Sequence, residues 1–128
     1  MIRMMNVLFV DDDIDDREFF KDALSYVDPE ITCVVAKDCE QALNTLDTAA
    51  VLPHYVFLDI HMPTMSGKSC LARIRSDSRF ADIKVVMYSN SSDQALMEEY
   101  KALGATYFLI KPPTFKGLCD SLTVLFDK

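Results

Sequence analysis

Five short apolar runs punctuate the chain roughly every 25 residues, and each is followed by a stretch whose apolar residues recur with helical spacing. The runs are Asn6-Val7-Leu8-Phe9-Val10, Ile31-Thr32-Cys33-Val34-Val35, Tyr55-Val56-Phe57-Leu58, Lys84-Val85-Val86-Met87-Tyr88 and Tyr107-Phe108-Leu109-Ile110. A helix between two strands carries the chain back to the end where it began, so the strands run parallel. The runs are mostly continuous rather than alternating, the pattern of strands covered on both faces. The spacing thus predicts a repeated βα order, with helices on either side of a parallel sheet.

The intervening stretches supply those helices. Phe20, Ala23, Leu24 and Val27 form one apolar stripe, Ala42, Leu43 and Leu46 a second, and Phe115, Leu118, Leu122 and Leu125 a third, each expected to pack into the core. Asp38, Ser66, Ser92 and Thr114 stand where N-caps are useful, Gly104 is suited to a helix C-terminus, and Asp28-Pro29 makes a turn. The (βα)5 order without a G-x-G-x-x-G fingerprint places the chain in the α/β, flavodoxin-like, doubly wound class. Its sheet is expected in the order 2-1-3-4-5, with ligands beyond the carboxyl ends of the strands. With 128 residues and no linker, repeat or low-complexity segment, residues 1–128 are expected to form a single domain.

The net charge of −7 argues against direct nucleic-acid binding, which depends on neutralising many backbone phosphates. Five aspartates, Asp11, Asp12, Asp13, Asp15 and Asp16, crowd into six positions, dense enough to attract a hard cation. Cys33, Cys39, Cys70 and Cys119 are widely spaced and form no C-x-x-C pair, so they are expected to be reduced, mostly buried thiols. The acidic run begins too early to leave room for a signal peptide. No apolar stretch approaches membrane-spanning length, and a cytoplasmic location is expected. Asn90-Ser91-Ser92 matches a glycosylation sequon, which has no consequence without secretion.

The strand ends carry the chemistry. Asp11-Asp12-Asp13 follows the first run, Asp59 the third, Ser89 the fourth and Lys111 the fifth. Each has an ordinary explanation alone: Asp caps helices, Ser opens turns, Lys decorates surfaces. Together they suit phosphoryl transfer. A carboxylate attacking phosphorus needs a divalent cation to screen anion from anion, and a further cation and a hydroxyl to hold the transferred group. Asp11, Asp12 and Asp59 can ligate Mg²⁺, while Lys111 and Ser89 have the remaining chemistry.

Leu8-Phe9-Val10-Asp11-Asp12-Asp13, Leu58-Asp59-Ile60-His61-Met62-Pro63-Thr64-Met65-Ser66-Gly67, Met87-Tyr88-Ser89 and Ile110-Lys111-Pro112 resemble, in order and over essentially the whole chain, the signature segments of response-regulator receiver domains. The resemblance implies that Asp59 is the phosphoacceptor. It further implies that Asp11, Asp12, Asp59 and the backbone carbonyl of His61 hold Mg²⁺, that Ser89 is the switch hydroxyl, that Lys111 contacts the phosphoryl group, and that Phe108 is the switch aromatic. Asp13 is read as a cap for the first helix, and Pro63 and Gly67 as shaping the loop after Asp59. The His61 side chain is assigned no catalysis. Ser89 stands where family members often carry Thr, and Pro112-Pro113 stiffens the turn into the last helix, with a cis Lys111-Pro112 bond accessible.

The implied partners are a histidine kinase or histidine phosphotransfer protein and a downstream protein target. The chain ends at Lys128, soon after the last stripe, so the expected output is contact with another protein rather than an attached effector domain. In the family that output surface is formed by the fourth helix, fifth strand and fifth helix, where Tyr100, Tyr107 and Phe108 are candidate exposed or rotating aromatics. The aspartate-rich first loop disfavours a flavin carrier, and His61 stands where a haloacid-dehalogenase-type phosphatase carries its second acid. The remaining alternative is a receiver-like interaction module acting without phosphorylation. Catalysis would in any case be confined to the protein's own phosphorylation and dephosphorylation, so it is not expected to be an enzyme acting on external substrates.

Overall fold

The computed structural model, described over residues 5–62 and 65–127, has strands β1 (Asn6–Val10), β2 (Thr32–Ala36), β3 (Tyr55–Asp59), β4 (Lys84–Ser89) and β5 (Tyr107–Ile110). They alternate with helices α1 (Ile14–Val27), α2 (Cys39–Thr48), α3 (Gly67–Arg75), α4 (Gln94–Ala102) and α5 (Phe115–Phe126), with a 3-10 turn at Ser78–Phe80 before β4. All strand pairs are parallel and the order is β2-β1-β3-β4-β5, as expected for a flavodoxin-like receiver fold.

Side chains alternate across a strand, so each central strand feeds two cores. Leu8 and Val10, Val56 and Leu58, and Val85 and Met87 face α2, α3 and α4. Val7 and Phe9, Tyr55 and Phe57, and Val86 and Tyr88 face α1 and α5. On the second side Phe20 of α1 lies with its ring centroid 4.0 Å from Phe9 and 4.8 Å from Phe57, all three fully buried. Each such ring contributes about 1.5–3 kcal/mol by leaving water, which fixes α1 over the sheet.

The expected helix stripes are borne out except at one end. Leu118, Leu122 and Leu125 are buried, but Phe115 remains 38% exposed. As the first residue of α5 it packs edge-on against Phe19 and Tyr26 of α1, both outside the buried core. At the edge strand β2 the two-sided covering also fails, leaving Thr32 and Val34 exposed. Asp38, Ser66 and Thr114 cap α2, α3 and α5 as read. The cap of α4 is Asp93, not Ser92: its carboxylate accepts from the Ala95 N–H at 3.0 Å. Gly104, at φ 109°, ends α4 in the left-handed region.

The cysteine expectation is corrected. Cys39, opening α2, and Cys70, on α3, form a disulfide with Cα atoms 5.7 Å apart. Two neighbouring helices bring these residues together in the fully buried core, a proximity that their separation of 31 residues does not reveal. Cys33 and Cys119 are free, half-buried and buried respectively. The accessible cis alternative at Pro112 is not adopted, since every described peptide bond is trans. Among the described residues no helix is long and apolar enough to cross a membrane.

Candidate functional site

Parallel strands bring their carboxyl ends to one edge, and between β1 and β3 the connections diverge to opposite faces, opening a crevice. Asp11 leaves β1 there and its N–H donates to the Ala36 carbonyl at 3.0 Å. Its carboxylate Oδ1 accepts from the Asp13 N–H at 3.0 Å, which turns the chain toward α1. Asp13 then caps that helix by accepting from the Asp15 N–H at 2.9 Å, as the sequence reading expects. Arg17, one turn on, donates from Nη1 to the Asp11 backbone carbonyl at 2.8 Å and pins this corner.

Asp59 is the last residue of the wholly buried strand β3 and is only 6% exposed. The His61 N–H donates to its Oδ1 at 3.2 Å, and the Ile60 N–H reaches the Tyr88 carbonyl at 3.3 Å. Gly67 closes the loop by donating to the Ile60 carbonyl at 2.9 Å. A Cβ at Gly67 would lie 2.7 Å from the Asp59 carbonyl oxygen and 2.8 Å from Ile60 Cα, so the close backbone approach demands glycine. The expected role of Gly67 in shaping this loop is thereby accounted for; Pro63 lies outside the described residues.

Ser89 ends β4, 1% exposed, and its Oγ accepts from the Ser91 N–H at 3.1 Å. Its carbonyl accepts from the Lys111 N–H at 2.7 Å, tying the fourth strand end to the fifth. The Lys111 ammonium reaches into the crevice, 3.6 Å from Asp59 Oδ1, 3.7 Å from Asp11 Oδ2 and 3.4 Å from Asp16 Oδ2. It also stands 5.1 Å from the centre of the Tyr88 ring. Asp12, Asp13 and His61 are exposed.

Carboxylate oxygens of Asp11, Asp12 and Asp59 come within 4.8 Å of one another. Asp11 Oδ2 is buried and has no hydrogen-bond partner. Burial drives the Asp11 carboxyl up to about 7, with the neighbouring Asp59 and Asp16 charges adding to it while the Asp13 N–H and Lys111 oppose. Burial works against the charged Lys111 ammonium, but the surrounding Asp59, Asp11 and Asp16 outweigh it and hold its pKa above the usual value. Two buried, mutually repelling carboxylates with an unsatisfied oxygen, beside the exposed third of Asp12, are the chemistry of a hard-cation site, so these residues fit a divalent metal.

Phe108 is half-buried on β5, its ring centroid 6.2 Å from that of Tyr100. Tyr100 is buried, which removes only the exposed alternative for it, whereas Tyr107 and Phe108 line a groove of about 610 Å³ between α4, β5 and α5. Sequence reading gave Arg17 no role and counted Asp16 only within the cation-attracting acidic cluster; the available signal is that both lie one turn beyond Asp12 and Asp13, on a helix whose start the motif already fixes.

A family model described as response regulator receiver domain matches residues 7–123. Chemotaxis protein CheY1 of Helicobacter pylori is 30% identical over 121 residues, covering 94% of this chain and 96% of that protein. A protein-glutamate methylesterase of Methanospirillum hungatei is 34% identical over 116 residues, 90% of this chain but 33% of its own length. The chain also spans 41% of chemotaxis protein CheV3 of Helicobacter pylori, at 34% identity over 95% of this chain. Among solved structures, chemotaxis response regulator CheY4 of Vibrio cholerae superposes with a TM-score of 0.83 at 28% identity, covering 96% of this chain and 99% of that one. With its sheet order, acidic crevice and matched residues on the page, the chain belongs to the response regulator receiver domain family of two-component signalling.

Proposed function

We propose that this protein is a response regulator that accepts a phosphoryl group from a histidine kinase or histidine phosphotransfer protein onto Asp59. The observation that carries the reading is the pairing of a buried Asp59 with Lys111 at 3.6 Å, beside the unsatisfied Asp11 carboxylate. A carboxylate oxygen of Asp59 attacks phosphorus; the new O–P bond forms as the P–N bond to the donor histidine breaks, and the imidazole leaves with the bonding pair. Lys111 offsets charge on the phosphoryl oxygens, and the Ser89 hydroxyl, released from the Ser91 N–H, donates to one of them. Asp11, Asp12, Asp59 and the His61 carbonyl would hold Mg²⁺, whose charge screens the anionic nucleophile from the anionic phosphoryl group.

The signal leaves through protein contact, by phosphorylation-dependent binding of a target or onward relay to another histidine. The groove between α4, β5 and α5, with Phe108 on its wall, lies beyond the Ser89 loop and is the reading's output surface. The near-complete overlap with Helicobacter pylori CheY1 favours a stand-alone cytoplasmic regulator, catalysing nothing beyond its own phosphorylation and dephosphorylation. The experiment is intact-protein mass after incubation with acetyl phosphate, with and without Mg²⁺, for wild type and Asp59→Asn. One phosphoryl adduct requiring both Mg²⁺ and Asp59 is expected. No adduct on folded wild-type protein under any condition overturns the reading in favour of a phosphorylation-independent interaction module.

A further inference from the structure

We propose that Asp16 is a positioning residue for Lys111: it draws the ammonium toward α1 and leaves the Asp11 and Asp59 carboxylates available to a divalent cation. This rests on the reading of the crevice as a metal-assisted phosphoryl site. Lys111 Nζ faces three carboxylates, but it hydrogen-bonds only that of Asp16, at 3.4 Å, among the described residues. Asp59 and Asp11 lie farther, at 3.6 and 3.7 Å, and Asp11 Oδ2 is left without a hydrogen bond although the ammonium is close.

The arrangement has a direct consequence. A lysine bonded squarely to Asp11 or Asp59 would occupy the oxygens that a metal must take, and a cation arriving there would have to displace it. Asp16 supplies an alternative anion at the mouth of the crevice. It is partly exposed and lies on α1 rather than at a strand end, outside the buried pair of Asp11 and Asp59. The competing explanation is that Asp16 is simply an acid in the first turn of α1, favoured by the helix dipole. Asp15 shares that turn, is exposed and has no bond to Lys111 among the described residues, which makes it the matched control.

The test is Mg²⁺ affinity by isothermal titration calorimetry on the full chain without phosphodonor, with circular dichroism confirming that each variant is folded. Asp16→Asn is expected to weaken Mg²⁺ about three- to tenfold more in the Lys111 background than in a Lys111→Met background, the signature of a coupling between the two side chains. Asp16→Glu should restore affinity to within about twofold, and Asp15→Asn should show only the smaller loss common to removing one charge. Equal losses for Asp16→Asn in both backgrounds, or equal losses for Asp15→Asn and Asp16→Asn, overturn the proposal while leaving the metal site intact. Wild-type protein that binds no Mg²⁺ overturns both this proposal and the metal-assisted reading beneath it. A phosphoryl adduct formed with unaltered Mg²⁺ affinity in Asp16→Asn removes this proposal alone.

Discussion

Asp11 shows how a single side chain can be costly to the fold and useful to the site. Its folded pKa, about 7, lies above the unfolded value of 3.8, so the native state binds the proton more tightly than the unfolded chain. Stability from this group is therefore fullest at low pH and falls as pH rises from about 4 toward 7. Asp11→Asn removes the buried charge while keeping an oxygen for the Asp13 N–H. It is expected to raise the stability of metal-free protein by about 1–3 kcal/mol at pH 8 and to change it little at pH 4. Urea denaturation at the two pH values checks this, and a loss of stability at pH 8 would contradict it. Conversely, added Mg²⁺ should stabilise wild type more at pH 8 than at pH 5, because below about pH 7 a proton competes for the same oxygens. Thermal melts with and without Mg²⁺ at both pH values measure that difference.

The loop after β3 is held at the element scale by one residue without a side chain. Gly67→Ala forces a methyl group against the Asp59 carbonyl and Ile60 Cα, and is expected to cost about 1–3 kcal/mol in denaturant melts. It should also slow phosphoryl transfer by shifting Asp59; an alanine variant as stable as wild type would show that the loop relaxes. Thr114→Ala removes the cap that accepts from the Gly117 N–H at 3.0 Å and should cost about 1 kcal/mol. Elements of this kind were legible in the sequence because periodicity marks strands and helices, and because Asp59, Ser89 and Lys111 sit where the apolar runs stop. What was not legible depends on contacts across the fold. Ser92 and Asp93 are both good caps, and it is the Asp93 carboxylate that accepts from the Ala95 N–H. Phe115 reads as core until its ring is seen to pack on Phe19 and Tyr26 of α1 while remaining partly exposed. Cys39 and Cys70 carry no spacing signal, since two helices on the same sheet face bring them together. Asp16 gains its partner from residue 111, 95 positions away.

Across the whole molecule, the two cores divide the protein into a face built on α1 and α5 and a face built on α2, α3 and α4. The crevice sits between them, at one end of strands shared by both. On the proposed function, a new charge on Asp59 would act first on Ser89, whose loop leads into α4, and on Lys111, which precedes α5. Hydrogen exchange on phosphorylated protein should therefore change at residues 89–110 and leave β2 and α2 nearly unaltered; uniform change, or change confined to α2, would contradict this route. The central claim is more specific still, that the phosphoryl group is carried by Asp59 and by no other oxygen in the crevice. Borohydride reduction of the acetyl-phosphate-treated protein, followed by peptide mass analysis, tests it most directly, because an aspartyl phosphate is reduced to homoserine where it stands. The account predicts homoserine at position 59 alone; homoserine at position 11 or 12, or a reduction-resistant phosphate on Ser89, would contradict it.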